Sequence, residues 1–274
     1  MSRLLSASLA ACAIAALATS AHAQSNDDWD GRGYSQDSSF AWKGTIADGG
    51  TISVMNLNGG IDVDASDKGI TTVTAVKRWR HSDPSSVRII TQPAANGMTI
   101  CAVWDDATDC GEPDHHHEGS HEVHNNDVSV HFTVHVAKGV KVNLATVNGG
   151  LDVRGATVAV VAHTVNGRVE IATLGGPVTA GSVNGSVRAS IDHLVSSDAP
   201  LELETVNGSV ELDAPAALNA ALDAETVNGG VQTDFPVTIN SLKARTRLRG
   251  TIGQGGRELR LHTVNGSVTI KKLG

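Results

Sequence analysis

The most constraining feature of this chain is the sequence (T/S)VNG, which occurs six times between residues 146 and 266. Successive copies are 18, 18, 23, 21 and 37 residues apart, and an outlying copy, NLNG, contains Asn58. The last spacing is close to two repeats. Within it we interpret RLRGTI (247–252) as a degenerate copy with Arg249 at the asparagine position. A repeat of this length is typical of proteins that stack one structural unit on the next.

The residues that flank each copy alternate between apolar and polar. Before one corner the apolar or small positions are Leu201, Leu203 and Thr205, and after it they are Val210 and Leu212. A period of two indicates a β-strand with one buried face. The parity slips by one inside (T/S)VNG, which would turn a straight strand inside out. The chain must therefore bend there, and the NG is a corner.

Asn and Gly suit such a corner because both accept a positive φ at low cost. Two architectures fit. NG between alternating strands is a strong hairpin signal, which would give an antiparallel meander. Identical inward residues at a regular period favour instead an all-β, single-stranded parallel β-solenoid with coils of about 18–23 residues, each position stacked on its copy. In that solenoid we expect a hydrogen-bonded asparagine ladder made of Asn58, Asn148, Asn166, Asn184, Asn207, Asn228 and Asn265.

The first 23 residues have the pattern of a secretory signal peptide. Arg3 precedes an Ala/Leu-rich run, and Ala21-His22-Ala23 fits a cleavage site before Gln24. A lipoprotein signal ending at Cys12 is the alternative, and the run is too short for a convincing membrane span. Cleavage leaves 20 Lys and Arg against 29 Asp and Glu, a formal charge of −9. Such an acidic chain argues against nucleic acid as a partner.

Four segments follow from these patterns. The signal peptide is 1–23, and 24–40 is a flexible N-terminal segment. Residues 41–137 hold N-terminal β-coils and an aromatic-rich cap, and 138–274 hold the repeated VNG solenoid. Since open solenoid ends need protection, Lys271 and Lys272 are expected to discourage pairing at the C-terminal end.

Cys101 and Cys110 are the two cysteines that remain after cleavage of the signal peptide. In an oxidising compartment a pair this close predicts a local disulfide. A redox or metal-binding thiol pair is the alternative, and it lacks the CxxC spacing.

A histidine-rich loop lies at about 111–127, within GEPDHHHEGSHEVHNND. HEGSH matches the zinc-protease pattern HExxH, but that chemistry needs a helix, and this segment has no apolar face to bury. Two interpretations remain: a solvated insertion between strands, or a site for Zn²⁺, Ni²⁺ or Cu²⁺. The candidate ligands are His115, His116, His117, His121 and His124.

Other candidate residues lie on the predicted strands. His131 and His135 share one strand face but are too far apart for one metal without a neighbouring ligand. The acidic pairs Asp62/Asp64 and Glu202/Glu204 also share outward faces, as is normal for solvated strands. The basic cluster Lys243, Arg245, Arg247 and Arg249 could form part of the surface of a glycan-active enzyme, but the repeat register fixes no acid beside it.

Three stretches together resemble a bacterial family usually called putative adhesins. They are TISVMNLNGGIDV (51–63), DVSVHFTVHVAKGVKVNLATVNGGLDV (127–153) and the later VNG copies, so the resemblance spans about 41–274. It implies a β-solenoid in the cell envelope, adhesion as inferred for the family, and no established catalytic residues. RLRGTI departs from the pattern because it would interrupt the ladder.

We therefore expect a non-enzymatic, exported cell-envelope protein in the periplasm, on the outer surface or secreted. Its adhesin-like solenoid presents a binding surface to an envelope or extracellular partner, and it needs no cofactor. The first alternative is an envelope metal-binding protein that uses the histidine-rich loop. The second is a polysaccharide-active β-helix enzyme.

Overall fold

The fold consists of β-strands throughout the part of the chain that the structure describes. The computed structural model describes residues 34–104, 109–110, 126–193, 199–243 and 245–273. These residues form 21 strands and one short 3₁₀ turn, Pro84–Ser86. In chain order the strands are β1 (Ser35–Gly44), β2 (Thr51–Met55), β3 (Ile61–Ser66), β4 (Thr71–Trp79), β5 (Val87–Ala94), β6 (Gly97–Trp104), β7 (Ser129–Ala137), β8 (Lys141–Asn148), β9 (Leu151–Ala156), β10 (Val160–Asn166), β11 (Val169–Thr173), β12 (Val178–Asn184), β13 (Val187–Ile191), β14 (Leu201–Asn207), β15 (Val210–Ala214), β16 (Ala220–Asn228), β17 (Val231–Thr233), β18 (Val237–Lys243), β19 (Arg247–Ile252), β20 (Glu258–Asn265) and β21 (Val268–Lys272).

The strands form two sheets. Sheet A has the order β1-β4-β7-β3-β9-β11-β13-β15-β21-β17, and sheet B has the order β18-β19-β16-β20-β14-β12-β10-β8-β2-β6-β5. The strand before each NG lies in sheet B and the strand after it in sheet A. Neighbours within each sheet are mainly parallel and paired copy on copy, as when Asn166 of β10 stands opposite Asn148 of β8 and Asn184 of β12. The hairpin alternative is therefore wrong, because the two strands at a corner belong to different sheets.

The burial pattern explains why the chain bends at each corner. In β14 the side chains of Leu201, Leu203 and Thr205 are buried, whereas Val206 is 40% exposed. Burial resumes at Val210 in β15. The chain turns from one sheet to the other between these residues, so both strands face the same core. The one-residue slip in the apolar–polar alternation arises because the chain passes from one sheet to the other at this point.

The repeats do not stack in chain order at the C-terminal end. β20 lies between β14 and β16, so the last (T/S)VNG copy is inserted between two earlier ones. The interpretation of RLRGTI as a degenerate copy is wrong. It forms β19, which runs antiparallel to β16 and places Arg249 opposite Asp223 rather than opposite an asparagine. Its charged residues pair across that strand boundary, which holds β19 in this register.

Antiparallel strands lie at both ends of the stack. β1, β4 and β7 end sheet A on one side, and the β5–β6 pair ends sheet B on that side. β18 and β19 end sheet B on the other side. Residues 35–40, expected to be flexible, belong to β1, because Phe40 and Trp42 pack against the core. Lys271 and Lys272 pair with β15 on one side, whereas on the other side β17 pairs with β21 only as far as Ile270.

The core between the sheets is thin and aliphatic. Val, Leu, Ile and Ala fill most of it, and Phe132 is its largest fully buried side chain. Small inward residues such as Ala162, Ala180 and Ala189 let the two sheets approach closely. Within the described ranges, no helix has the length and apolar character needed to cross a membrane.

Candidate functional site: the repeated corner and the outer faces

Each residue of (T/S)VNG has a distinct structural role, beginning with the hydroxyl. Thr164 Oγ1 donates a hydrogen bond of 2.8 Å to the carbonyl oxygen of Gly149 in the neighbouring repeat. Ser182 makes the same bond to Gly167 at 2.8 Å, and Thr205 makes it to Gly185 at 2.7 Å. The inward position before the corner therefore needs a small side chain that donates a hydrogen bond, because an unpaired buried carbonyl is costly.

In the outlying copy an asparagine supplies the hydrogen-bond donor that Thr or Ser supplies at the other corners. Asn56 stands where the other copies have Thr or Ser, and it is only 8% exposed. Its Nδ2 donates to the carbonyl oxygens of Val130, at 2.7 Å, and Gly59, at 3.0 Å. An amide side chain thus replaces the hydroxyl at the first stacked corner.

The corner asparagines are hydrogen-bonded to one another in one continuous ladder. Each Nδ2 donates to the Oδ1 of a neighbouring repeat at 2.7–2.9 Å. The bonds run Asn148 to Asn58, Asn166 to Asn148, Asn184 to Asn166, Asn207 to Asn184, Asn265 to Asn207 and Asn228 to Asn265. The structure thus brings together all seven residues expected to form the ladder, with Asn265 between Asn207 and Asn228.

The corner glycine is required for close approach at all seven corners, and only Gly59 and Gly266 also have a positive φ. The φ of Gly149, Gly167, Gly185 and Gly208 lies outside the left-handed range. A Cβ on Gly185 would lie 1.9 Å from the carbonyl oxygen of Gly167. The expectation that glycine supplies a positive φ is therefore wrong at these corners, since backbone packs directly on backbone there.

The valine of each corner faces solvent. Exposure is 38–62% at Val165, Val183, Val206, Val227 and Val264. Because the corners stack in register, these side chains form an apolar column beside the asparagine ladder. This edge and the two outer sheet faces are the surfaces that the repeat exposes.

The disulfide beside the histidine-rich loop is part of the described structure, whereas the candidate metal ligands of the loop are not. His115, His116, His117, His121 and His124 lie outside the described residues. Beside that segment, Cys101 and Cys110 are joined by a disulfide, as the sequence predicts. Cys110 also donates its backbone N–H to Gln92 Oε1 at 3.1 Å, which places it against β5.

The outer face of sheet A carries paired charges. His131 Nε2 lies 2.9 Å from Asp62 Oδ2, and Arg188 Nη2 lies 2.7 Å from Asp213 Oδ2. His135 is not part of the His131 pair and lines a cleft of about 320 Å³ with Lys43. The structure therefore does not bring His131 and His135 together in one cluster.

The outer face of sheet B carries an alternating set of charges across four adjacent strands. Arg249 of β19 donates two hydrogen bonds to the carboxylate of Asp223 in β16. Its Nε lies 2.9 Å from Oδ1, and its Nη2 lies 2.7 Å from Oδ2. Arg260 of β20 donates to Glu202 of β14 at 2.9 Å. The Arg249 hydrogen bond holds the pKa of Asp223 below its usual range.

The sequence reading found the basic residues of this face but missed their acidic partners. No acid was expected beside Arg247 and Arg249, yet Asp223 and Glu225 stand directly opposite them. The alternating acids of β16 and alternating arginines of β19 were a signal for antiparallel pairing. The assumption that RLRGTI was another parallel copy concealed it.

Two stacked, largely parallel sheets joined by repeated corners define the class of an all-β repeat protein. The chain belongs to the Toastrack DUF4097 family, whose model matches residues 106–271. This membership confirms the family resemblance that the repeats indicated. No curated protein matches the sequence significantly.

Solved structures show distant similarity. A putative cell adhesion protein from Clostridium sporogenes ATCC 15579 is 9% identical, with 85% of this chain and 99% of that chain covered and a TM-score of 0.45. A putative adhesin from Bacteroides fragilis NCTC 9343 is 9% identical, with 85% and 96% covered and a TM-score of 0.28. A putative adhesin from Parabacteroides distasonis ATCC 8503 is 13% identical, with 85% and 96% covered and a TM-score of 0.21.

Proposed function

We propose that this chain is an exported, non-enzymatic cell-envelope protein whose adhesin-like scaffold presents a binding surface. In this proposal the two sheets are faces of one parallel β-solenoid, with successive coils of about 18–23 residues from β8 to β15. Coil on coil, the asparagine ladder and the hydroxyl–carbonyl bonds hold the corners in register. A rigid scaffold of this kind leaves its outward positions free to bind a partner.

One observation carries the proposal: inward residues repeat from strand to strand, whereas outward residues do not. In β8, β10, β12, β14 and β20 the buried positions are Val, Leu, Ala, Thr or Ser. The outward positions that stand opposite one another are Asn143, Val161, Thr179, Glu202 and Arg260 in one row, and Ala145, His163, Gly181, Glu204 and His262 in the next. The repeat therefore specifies the core and leaves the outer face to carry specific chemistry.

Export is supported by two features. Residues 1–23 have a signal-peptide pattern, and Cys101 is disulfide-bonded to Cys110. Disulfides persist in oxidising compartments such as the periplasm and cell surface. Fusion of residues 1–23 to a reporter should export it, and deletion of these residues should retain the chain in the cytoplasm.

The binding surface can be tested with two matched variants. Labelled chain 24–274 would be incubated with isolated envelope fractions in buffer containing EDTA. The sheet B variant carries Glu202→Ala, Glu204→Ala and Arg260→Ala, and the sheet A variant carries Asp152→Ala, Arg154→Ala and Glu170→Ala. Both variants remove two acids and one base from outward positions, so their net charges are equal.

We expect the sheet B variant to lose envelope binding and the sheet A variant to keep it. Melting temperatures should remain close to that of the parent, because exposed ion pairs contribute little to stability. Equal loss in both variants would indicate a nonspecific charge effect. No binding by the parent chain would contradict the proposal.

Metal binding by the histidine-rich loop is the first alternative function. Its basis is the sequence: five histidines within ten residues, with Asp114, Glu118 and Glu122 nearby. Calorimetric titration of the metal-stripped chain with Zn²⁺ and Ni²⁺ would test it. A loop variant in which His115, His116, His117, His121 and His124 are all alanine should lose the heat that the loop contributes, and it should bind fewer ions per chain than the parent. Equal heat in parent and loop variant would count against the loop.

The polysaccharide-active enzyme is less supported than the scaffold. The acids and bases found together on sheet B neutralise one another, as in the Arg249–Asp223 and Arg260–Glu202 pairs. A general acid or base needs access to substrate protons rather than a bidentate arginine partner. Hydrolysis of envelope polysaccharides by the purified chain, lost on Asp223→Asn, would restore this alternative.

A further inference from the structure

A second group of potential metal ligands lies on the outer face of sheet B, apart from the histidine-rich loop. Asp223 and Glu225 alternate along β16, and His262 on β20 stands opposite Glu225. One ligand atom from each of the three residues lies within 4.8 Å of the others. The insertion of β20 beside β16 creates this group, because in chain order these strands are separated by β17, β18 and β19.

The imidazole of His262 is oriented between two acidic groups. Its Nδ1 lies 3.6 Å from Glu204 Oε1, and its Nε2 lies 4.0 Å from Asp223 Oδ1. Nε2 is inaccessible to solvent and has no hydrogen-bond partner among the described residues. A metal-binding histidine commonly turns one ring nitrogen to a carboxylate and the other to the ion. The placement of Glu204, His262 and Asp223 fits that arrangement.

Arg249 and Arg247 bear on the group in different ways. Arg249 binds both oxygens of Asp223 and fixes the orientation of that carboxylate. Arg247 Nη2 lies 3.3 Å from Glu225 Oε2, and Arg247 Nε lies 3.8 Å from Asp223 Oδ1. The carboxylates of Glu204, Asp223 and Glu225 outnumber the guanidiniums of Arg247 and Arg249 by one. The cluster therefore has one excess negative charge when His262 is neutral. The field therefore favours a cation, and Arg247 competes with it.

We propose that Asp223, Glu225 and His262 bind a divalent transition-metal ion of the Zn²⁺ type. Two carboxylate oxygens and one imidazole nitrogen form a ligand set that such ions accept, whereas Mg²⁺ and Ca²⁺ prefer oxygen ligands alone. Glu204 positions the imidazole, and Arg249 positions Asp223. The site goes beyond the scaffold function and does not depend on it.

The test is calorimetric titration of metal-stripped chain 24–274 with ZnCl₂. The background is the loop variant with five histidines replaced, so that loop binding cannot contribute. We expect one Zn²⁺ per chain, with MgCl₂ giving no heat at the same concentrations. His262→Ala should abolish the Zn²⁺ heat. His135→Ala, which removes an exposed histidine from sheet A, should leave it unchanged.

Two further variants keep the test decisive. Arg247→Gln should tighten Zn²⁺ binding by about tenfold, because it removes a positive charge roughly 4 Å from the site. Glu225→Gln should weaken binding without a large effect on folding, since this side chain is 39% exposed. Circular dichroism would verify that each variant is folded.

No heat in the loop variant would overturn the proposal, as would heat that persists in both His262→Ala and Glu225→Gln. Neither result would bear on envelope binding, which is measured in EDTA.

Discussion

Two adjacent glycines in one corner offer a sharp test of how the repeats stack. A Cβ on Gly229 would lie 1.8 Å from the carbonyl oxygen of Gly266, where ordinary contact begins at 3.4 Å. A Cβ on Gly230 would have no atom within 4 Å, and its φ lies outside the left-handed range. The two substitutions to alanine are chemically identical and one residue apart, yet the structure predicts opposite effects.

The magnitude follows from the hydrogen bonds that the Gly229→Ala clash would break. Relief of the clash must separate this corner from the corner of Gly266. That separation breaks Thr226 Oγ1 to Gly266 O at 2.8 Å, Gly266 N to Asn228 O at 3.0 Å and Asn228 Nδ2 to Asn265 Oδ1 at 2.7 Å. At about 1 kcal/mol net for each bond, Gly229→Ala should destabilise the chain by about 3 kcal/mol.

Gly230→Ala should be neutral or stabilising by about 0.5 kcal/mol, because alanine restricts the unfolded chain. Urea unfolding followed by far-ultraviolet circular dichroism measures both effects. The tryptophans lie before residue 105, so their fluorescence would report the other end of the stack. Equal destabilisation by both variants, or a neutral Gly229→Ala, would refute backbone-on-backbone stacking at the corner.

Three further predictions concern the ladder, the pH dependence and the disulfide. Asn207→Ala removes two ladder hydrogen bonds and should lower the free energy of unfolding by about 1–2 kcal/mol. Asn228→Ala removes one and should lower it by about half as much. Equal urea midpoints for the two variants would argue against the ladder. Backbone N–H groups, chiefly those of Ser82 and His81, hold the pKa of Asp127 below its usual range. The ionised carboxylate of Asp127 therefore stabilises the folded chain above about pH 4, and this stabilisation is lost as the pH falls further. The difference in the free energy of unfolding between the parent and Asp127→Asn should shrink between about pH 4 and pH 2. A difference independent of pH would contradict this. Cys101→Ser should lower the free energy of unfolding by about 2–3 kcal/mol through loss of a short closed loop, and thermal melts with and without reductant should show no further reductant effect in the variant.

The strands and corners were predictable because their information is local. Alternation around Leu201 and Leu203, and the parity slip after Thr205, identify two strands and a bend without any knowledge of neighbours. The pairing of Cys101 with Cys110 follows from their short separation in sequence.

The order of the repeats was not predictable because every corner is chemically equivalent. Any (T/S)VNG copy can donate a hydroxyl to any corner glycine and an amide to any corner asparagine. Nothing in the corner itself therefore says that Asn265 lies between Asn207 and Asn228. That choice depends on the antiparallel strands β19, which pairs with the other side of β16, and β18, which pairs with β19.

The outer face of sheet B was hidden for the same reason. Its Arg260–Glu202 pair forms because β20 lies beside β14, and its Arg249–Asp223 pair forms because β19 runs antiparallel to β16. The role of the corner glycine was also a tertiary property, because the clash at Gly185 is with another repeat. The NG pair indicated a turn conformation, whereas the structure uses glycine to let two backbones touch.

The most direct test of the account is the order of the stacked repeats. Neighbouring parallel strands place equivalent Cα atoms about 4.8 Å apart, within disulfide reach, and next-nearest strands place them about 9.6 Å apart, beyond it. Cysteine pairs would be introduced at 207 and 265 and, in a matched variant, at 207 and 228. After oxidation, mass spectrometry of non-reduced peptides should show a 207–265 crosslink and none between 207 and 228. A crosslink between 207 and 228, with none between 207 and 265, would show that the repeats stack in chain order and contradict the account.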